Sequence, residues 1–347
     1  MRLASAEQVS KYHPDKYADQ ISDAILDAYL QKDKKARVAV ETMVKDNTVV
    51  LGGEIRSNAS VDVTETVHRV AKKLGYQVDK IINLLGKQSN QISNAVDQDE
   101  DTKAGDQGVM IGYACNETEA MLPEAFDLAN KIIEAIHQDL KTPGTILKGD
   151  AKTQVTVDLD ETEPERRVKT ILISACHVPG ITTKTLEQYL RILLASHKIK
   201  VYKETRFIVN PAGEWTVGGP TADCGLTGRK IVCDQYGGFV MVGGGAFSGK
   251  DPSKVDRSAA YAARRLATDI LKKHQVDSVI VQLAYAIGIA EPVSIMVSTG
   301  DDTRDAAITA EIDPHEFTPK RIIERLDLLN RRYETIAEGC HYRESFW

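Results

Sequence analysis

The chain has 347 residues and carries 44 Lys and Arg against 50 Asp and Glu, which gives a net charge of −6. A chain of this length can form two or three domains with a sizeable core, and 42% hydrophobic residues are typical of a globular protein. The acidic balance argues against non-specific binding to nucleic acid and against docking on an acidic membrane surface.

The first predicted helix covers residues 15–30, where small and apolar side chains recur at helical spacing. It follows His13-Pro14 directly, and a proline suits the first turn of a helix. Two apolar, β-branched segments come next, residues 37–44 and 48–51, on either side of a polar turn. This pattern predicts a β-hairpin.

Residues 88–103 form a polar and acidic segment without periodicity. A connection of this length is uncommon in a compact protein and is either a functional lid or disordered. Composition alone favours neither interpretation.

The rest of the chain alternates between strand-like and helix-like patterns, which indicates a mixed α/β or α+β protein. In chain order the patterns predict a helix (121–140), two strands (154–159 and 168–175), a helix (185–196) and two strands (279–287 and 294–299). Asp251-Pro252-Ser253 predicts another helix start, with Asp251 as the N-cap. Strand–helix units recur about three times. A glycine pair follows a strand-like run three times, and a true internal repeat and a chance recurrence explain this pattern equally well.

The five cysteines are odd in number and include no Cys-x-x-Cys pair, which argues against a disulfide framework and a zinc site. The first residues lack the apolar core of a signal peptide, and no apolar run reaches the roughly 18 residues of a membrane span. We therefore expect a cytosolic protein.

Glycine is unevenly distributed, because 11 of the 24 glycines lie between Gly213 and Gly249. Apolar runs within that segment argue against disorder, so we expect its backbone to approach something closely. Residues 244–250 fit the spacing of a phosphate-binding P-loop, but Asp251 follows where Mg²⁺ binding requires Ser or Thr. The segment favours a glycine-lined anion site of another design.

Other polar groups are weak signals when each is taken alone. His13 and Asp15 fit a simple helix cap, and Glu41 and Glu54 fit solvent-facing positions on strands. Residues 105–108 and 150–152 have ordinary turn compositions. Lys250 and Lys254 are one helical turn apart, so their ammonium groups can point the same way.

The run 243–261, together with 13–16, 105–116 and 223–230, resembles the S-adenosylmethionine synthetase family, and the resemblance covers essentially the whole chain in order. It implies a methionine adenosyltransferase. The methionine sulfur attacks C5′ of ATP and expels triphosphate, which is then hydrolysed to phosphate and diphosphate. A thioether needs no general base, so such a protein must align the reacting atoms and stabilise the departing triphosphate. The glycine cluster is then expected to approach that triphosphate.

The resemblance also implies roles for individual residues. The residues implied to act in catalysis are His13, Lys152, Arg229, Lys230 and Lys250. The implied ATP-binding residues are His13, Asp106, Asp150, Lys152, Arg206, Phe207, Asp223, Arg229, Lys230, Ala246 and Lys250, with Phe207 able to stack on the base. The implied methionine-binding residues are Glu54, Gln88, Asp223 and Lys254. Asp15 and Asp256 match Mg²⁺ ligands, with a pair of Mg²⁺ ions expected per site, and Glu41 matches the K⁺ ligand.

The fold implied by the resemblance is α+β, with three similar domains in approximate three-fold pseudosymmetry, each a sheet covered by helices on one side. We expect domains at 1–103, 104–216 and 217–347 that interleave in space, with residues 88–103 as a gating loop. The implied assembly is a homodimer with shared active sites, often paired into a tetramer. ATP and methionine are the expected partners, with no nucleic acid and no membrane.

The sequence departs from the family pattern in several features, including an earlier C-terminus at Trp347 than the family pattern leads us to expect. Lys11-Tyr12 stand where the family usually has Glu-Gly, and the stretch between Gly75 and Gly86 is shorter than in typical bacterial members. An alternative function is a non-catalytic nucleotide-binding paralogue or partner subunit. A P-loop-type kinase or NTPase fits less well because of Asp251.

Overall fold

The computed structural model of the chain describes residues 1–87, 97–98 and 101–343. Its strands are β1 (Leu3–Val9), β2 (Arg37–Lys45), β3 (Thr48–Arg56), β4 (Lys80–Lys87), β5 (Asp97–Gln98), β6 (Asp101–Thr102), β7 (Gly108–Cys115), β8 (Leu147–Asp158), β9 (Val168–His177), β10 (Arg206–Val209), β11 (Gly225–Leu226), β12 (Ser278–Tyr285) and β13 (Ser294–Ser298).

The helices range from single turns to twenty residues. They are α1 (Pro14–Lys32), α2 (Val63–Leu74), α3 (Glu124–Asp139), α4 (Pro164–Arg167), α5 (Thr183–Ser196), α6 (Ile231–Gln235), α7 (Val255–His274), α8 (Asp302–Ala310), α9 (Pro319–Arg325) and α10 (Tyr333–Ile336).

Three larger sheets organise the described part of the chain, with strand orders β1-β8-β9-β10, β11-β2-β3-β4 and β13-β12-β7. One long helix packs on each of them: α3 on β8 and β1, α1 on β2, and α7 on β7 and β12. The predicted α+β architecture, a set of sheets each covered by helices on one side, is therefore confirmed. Strands distant in sequence share sheets, since β1 pairs with β8 and β7 pairs with β12.

Each sheet turns its other face outward. Along β2 the valines at 38, 40 and 44 are buried, whereas Glu41 and Met43 are exposed, which is the period-two alternation of a strand with one covered face. Leu84 on β4 and Met296 on β13 are large apolar side chains that also remain 66% and 41% exposed. Within the described residues, no helix combines the length and apolar character needed to cross a membrane.

Most elements predicted from the sequence are confirmed. Helix α1 begins at Pro14 with His13 as its N-cap, and β2 and β3 form the predicted antiparallel hairpin with Lys45 opposite Thr48. The predicted helix start at Asp251 is wrong, because α7 begins only at Val255. Asp251 instead closes a turn by accepting the N–H of Ser253, while its other oxygen accepts the N–H of Val38 on β2. Because Asp251 is attached to the sheet, the helix begins later than predicted.

Several elements were not predicted from the sequence, among them β1, β7, α8, α2 and β4. Helix α2 has its apolar residues at helical spacing, and Asp62 caps it by accepting the N–H of Glu65. Strand β4 lies in parallel beside β3.

Candidate active site

The N-terminus of α1 gathers five of the residues that the sequence singled out. Asp15 is fully buried, and its Oδ2 accepts a hydrogen bond from Lys230 Nζ at 2.6 Å. Arg229 Nε lies 3.6 Å from Asp15 Oδ1. Lys152, Arg229 and Lys230 all act electrostatically on His13. This group, His13, Asp15, Lys152, Arg229 and Lys230, is called the α1 cluster below.

A hydrogen bond and a close backbone approach hold Asp15 beside the loop that carries Arg229 and Lys230. Asp15 Oδ1 accepts the backbone N–H of Leu226 at 2.9 Å, which ties the segment before Arg229 to the first turn of α1. Gly225 is required there, since a Cβ at that position would lie 2.1 Å from the carbonyl oxygen of Pro14. Burial alone would raise the pKa of Asp15, but hydrogen bonds from Lys230 and Leu226 hold it below its ordinary value.

His13 is a neutral imidazole in this environment. Burial, followed by the charges of Lys230 and Lys152, lowers the pKa of His13 to about 3. The Nδ1 atom accepts the backbone N–H of Asp15 at 3.1 Å. In a neutral ring the proton must then be on Nε2, which leaves one N–H able to donate to a ligand oxygen.

Asp150 supplies an acceptor without a protein donor. It is 5% exposed, and its Oδ2 accepts the N–H of Gly219 at 2.8 Å. Its Oδ1 is buried and has no hydrogen-bond partner among the described residues. Burial raises the pKa of Asp150 to about 6, with Lys152 opposing and Asp223 adding to the rise. A buried orphan acceptor is costly unless a ligand donor reaches it.

A second group forms around Lys250, whose Nζ is paired with Asp256 Oδ2. Asp256 lies against Gly245, where a Cβ would be 2.4 Å from the Asp256 Cγ. Lys254 is held by Asp251, with Nζ 2.5 Å from Oδ2. This group, Lys250, Asp256, Lys254 and Asp251, is called the Lys250 cluster.

The two clusters meet through their loops. A Cβ on Gly228, one residue before Arg229, would lie 2.6 Å from the Cβ of Ala246. Asp106 is exposed two residues before Gly108, and a Cβ on Gly108 would lie 3.6 Å from Asp256 Oδ1. The fold thus brings Ala246 close to both clusters and places the segment that carries Asp106 beside the Lys250 cluster.

Lys250 also reaches the open face of the second sheet. It forms an isolated antiparallel bridge with Ala39 on β2, and Ala39 lies opposite Glu54 on β3. Residues paired across neighbouring strands present side chains to the same face. Glu54 and Glu41 are both exposed there, so the two carboxylates predicted for methionine and K⁺ share a face with Lys250.

The glycine-rich segment has a different role from the one expected. Most of its glycines approach this chain's own atoms: added Cβ atoms on Gly225, Gly243 and Gly249 would lie 1.9 to 2.3 Å from carbonyl oxygens of other segments. On Gly213 and Gly244 they would meet nothing within 4 Å. The cluster therefore serves mainly to pack loops against the strands and α1, rather than to cradle a ligand along its length.

The segment 244–250 is also not a P-loop. In a P-loop the helix begins at the lysine and its neighbour, whereas α7 begins five residues after Lys250. Lys250 instead bridges to Ala39 on β2, and Asp251 hydrogen-bonds to Val38 on the same strand.

Two predicted site residues, Phe207 and Arg206, are described but are not joined to the clusters. Phe207 on β10 carries the guanidinium of Arg191 above its ring, at 4.4 Å from the ring centre. Arg206 is exposed and pairs with Thr170 on β9. Gln88 lies outside the described residues, as does most of the predicted gating loop. Their predicted roles stay predictions.

Asp251 is a residue whose role sequence reasoning missed. It is 1% exposed and holds both Lys254 and the N–H of Val38. Its pKa is lowered by Lys254 and Arg37 against the opposing effect of burial. The signal available in the sequence was the i, i+3 spacing to Lys254.

The side chains at the site supply some of the oxygen ligands that Mg²⁺ needs, but not a complete set. Asp15 and Asp256 offer hard carboxylate oxygens, and a carboxylate can accept more bonds than the two that Asp15 receives. Among the described residues, no group of three or more His, Cys, Asp or Glu side chains could hold a metal. Such a site fits a metal whose remaining ligands are substrate phosphates and water.

Comparison with known proteins covers the whole chain. The models of the N-terminal, central and C-terminal domains of S-adenosylmethionine synthetase match residues 1–100, 101–215 and 217–347. The chain is 43% identical to an S-adenosylmethionine synthase of Salinibacter ruber, over 98% of this chain and 93% of that protein. It is 42% identical to one of Helicobacter pylori, over 98% and 92%.

A solved structure agrees with these sequence matches. An unusual S-adenosylmethionine synthetase from Campylobacter jejuni superposes with a TM-score of 0.86 at 33% identity, covering 99% of this chain and 97% of that one.

Proposed function

Because the chain belongs to the S-adenosylmethionine synthetase family and is a methionine adenosyltransferase, we propose that the α1 cluster and the Lys250 cluster carry its reaction. The reaction joins ATP and L-methionine to form S-adenosylmethionine and triphosphate, and one water then hydrolyses the triphosphate to phosphate and diphosphate. The observation that carries the proposal is the convergence of Lys152, Arg229 and Lys230 on His13 and Asp15.

The cations stabilise the departing triphosphate. Displacement at C5′ builds negative charge on the leaving oxygen and the phosphate chain, and fixed cations at that place lower the barrier. Lys230 is pre-oriented by Asp15, and Lys250 by Asp256. Each lysine side chain is therefore already ordered at the site and can bind phosphate oxygens at a small cost in conformational entropy.

His13 acts as a hydrogen-bond donor rather than as an acid. Its Nε2–H is directed to the oxygen that leaves C5′, because Nδ1 is occupied by the backbone N–H of Asp15. No proton transfer is needed in the first step, since a thioether attacks without losing a proton. The free oxygen of Asp150 accepts from a hydroxyl or amino group of ATP.

Methionine is held on the open face of the second sheet. Glu54 pairs with the α-ammonium group, and Lys254 lies within the same region to meet the carboxylate. Gln88 and Asp223 complete the methionine-binding positions, while Asp106, Arg206, Phe207 and Ala246 border the adenosine. This arrangement sets the sulfur in line with C5′, which is the main rate contribution that positioning can make.

Mg²⁺ and K⁺ are the proposed cofactors. Asp15 and Asp256 would hold Mg²⁺, and Glu41 would supply an oxygen to K⁺. When bound, these ions offset the charge of the triphosphate. Meanwhile the chain's own lysines and arginine fix its orientation.

A homodimer is the proposed assembly, built through the open sheet faces. These faces carry Met43, Leu84, Val109 and Met296, each at least 37% exposed, and large exposed apolar surfaces mark interaction sites. Glu41 and Glu54 lie on one of these faces, so a second copy would enclose the methionine site. Tetramers would pair such dimers. We also propose a cytoplasmic location, which the five free cysteines support.

The direct test is to incubate the protein with ATP, methionine, Mg²⁺ and K⁺ and to quantify the products. The proposal predicts equal amounts of S-adenosylmethionine, phosphate and diphosphate. ATP binding without a sulfonium product would favour the non-catalytic alternative. ADP formation that does not depend on methionine would favour a kinase or NTPase.

A further inference from the structure

Helix α1 presents a carboxylate to the protein interior on every turn. Asp15, Asp19, Asp23 and Asp27 are spaced by four residues, and each is at most 9% exposed. Positions i and i+4 lie on one face of a helix. Each carboxylate accepts a backbone N–H from a segment distant in sequence: Asp15 from Leu226, Asp19 from Gly228, Asp23 from Gly249, and Asp27 from Tyr333 and Glu334.

Asp23 is bound to two neighbours at once. Its Oδ1 accepts the N–H of Gly249 at 2.8 Å. Its two oxygens also accept hydrogen bonds from Arg257, Oδ1 from Nη1 at 2.7 Å and Oδ2 from Nη2 at 2.6 Å. Asp23 and Arg257 are fully buried, and a bidentate pair of this kind is geometrically rigid.

Arg257 then reaches the residue next to Gly249. The same Nη1 that binds Asp23 donates to the carbonyl oxygen of Lys250 at 3.1 Å. The guanidinium itself is fixed, since Nε donates to the Tyr261 hydroxyl at 3.0 Å and the ring of Tyr333 lies 4.2 Å from it.

The backbone at this point is unusually constrained. Gly249 has a φ of +80°, and a Cβ there would lie 1.9 Å from the carbonyl oxygen of Val40. Gly249 and Asp251 also hydrogen-bond to β2 on either side of the bridge at Lys250. A small shift of α1 against α7 would therefore be transmitted to the Lys250 side chain.

We propose that the buried Asp23–Arg257 pair is a positioning pair for Lys250. It fixes the backbone on both sides of the Gly249–Lys250 peptide, so that the ammonium group is presented to the departing triphosphate. This inference rests on the proposed role of Lys250. Asp23 and Arg257 are both fully buried, so they act through the lysine.

The test uses mild substitutions with a matched control on the same helix. Asp23→Glu keeps the charge and moves the carboxylate by one methylene. Arg257→Lys keeps the charge but loses the bidentate geometry and the donor to the Lys250 carbonyl. Asp27→Glu makes the same change one turn further along α1, where the N–H groups that it accepts belong to no proposed site residue.

Single-turnover formation of S-adenosylmethionine is measured for each variant, alone and in the Lys250→Ala background. We expect Asp23→Glu and Arg257→Lys to lower the rate roughly 10- to 100-fold, as a displacement of about 1 Å does. The KM for methionine should change less than about twofold. In the Lys250→Ala background the further loss should be below about twofold. Asp27→Glu should change the rate less than about twofold in the wild-type background.

Each of the following results would overturn the inference or the role of Lys250 on which it rests. One is an equal loss in both backgrounds, which would mean that the pair acts on the fold as a whole. Another is a loss no greater than that of Asp27→Glu. Should Asp23→Glu not fold, Arg257→Lys decides, and failure of both to fold would identify the pair as a determinant of folding instead. If Lys250→Ala itself leaves the rate unchanged, the proposed role of Lys250 fails. If only the pair variants leave it unchanged, the positioning inference alone fails.

Discussion

The buried carboxyl group of Asp27 should give the protein a pH-dependent stability that a single substitution removes. Asp27 is 9% exposed and accepts the backbone N–H groups of Tyr333 and Glu334. Burial raises the pKa of Asp27 to about 7, against the lowering effect of those hydrogen bonds and of Arg257. The perturbation is Asp27→Asn, which removes the titrating group and keeps its size.

The sign follows from where the proton is bound. Between about pH 4 and pH 7 the folded state holds a proton that the unfolded chain has already lost. The free energy of unfolding therefore falls as the pH rises through this window and is constant above it. Each pH unit contributes about 1.4 kcal/mol, so a shift of about three units gives about 4 kcal/mol.

Water reduces this figure, because Asp27 lies in the wall of a polar cavity of about 470 Å³ together with Arg69, Lys73 and Arg332. We expect about 2 to 4 kcal/mol. At about 2.1 cal/mol/K of unfolding entropy per residue, this corresponds to about 3 to 6 °C for a chain of this length.

The assay is thermal unfolding followed by circular dichroism at pH 5 and pH 8, at one scan rate. Asp27→Asn should melt below the wild type at pH 5, since an amide offers one acceptor oxygen for two N–H groups. The measurements at pH 5 and pH 8 cross only about two of the three pH units of the window, so at pH 8 the gap should narrow by about 2 to 4 °C. A gap that is the same at both values, or wider at pH 8, would show that the wild-type carboxyl is already ionised at pH 5.

Two further substitutions test the assembly and the metal site. Leu84→Lys places a charge on the open face of the second sheet and should convert dimers to monomers in sedimentation. The control is Ile192→Lys on α5, because Ile192 is 72% exposed and lies away from the sheet faces. This variant should remain dimeric. Dimers in both variants would contradict the proposed interface. Gly245→Ala forces a Cβ to within 2.4 Å of the Asp256 Cγ and should raise the Mg²⁺ concentration for half-maximal activity several-fold. Gly244→Ala, which meets nothing within 4 Å, is the control; equal Mg²⁺ requirements in the two variants would argue against Asp256 as a ligand.

The elements that could be predicted are those with strong local signals. Helix α1 follows from Pro14 and its apolar spacing, and the β2–β3 hairpin follows from two apolar strands around a polar turn. The start of α7 could not be derived in this way. Asp251 and Pro252 have the composition of a helix start, but a long-range hydrogen bond to Val38 holds Asp251 on the sheet. Tertiary contacts override a local preference there.

The site shows the same limit. The resemblance named Lys230 and Lys250 but not the ion pairs that they form. Lys230 pairs with Asp15, more than 200 residues away in the sequence. Lys250 pairs with Asp256, six residues away. The glycine-rich segment was expected to face a ligand, because composition does not reveal which atoms a glycine approaches. The four-residue spacing of acids along α1 was visible in the sequence, but the N–H groups that they accept were not.

The central claim is that the cations act on the departing triphosphate rather than on bound substrate, and Lys250→Ala tests it most directly. The rate of S-adenosylmethionine formation in a single turnover and the dissociation constant of methionine are measured for the variant and the wild type. The account predicts a rate roughly 100- to 1,000-fold lower, with methionine affinity within about twofold. Equal losses in rate and in affinity would contradict it, because Lys250 would then contribute to ground-state binding and not to the transition state.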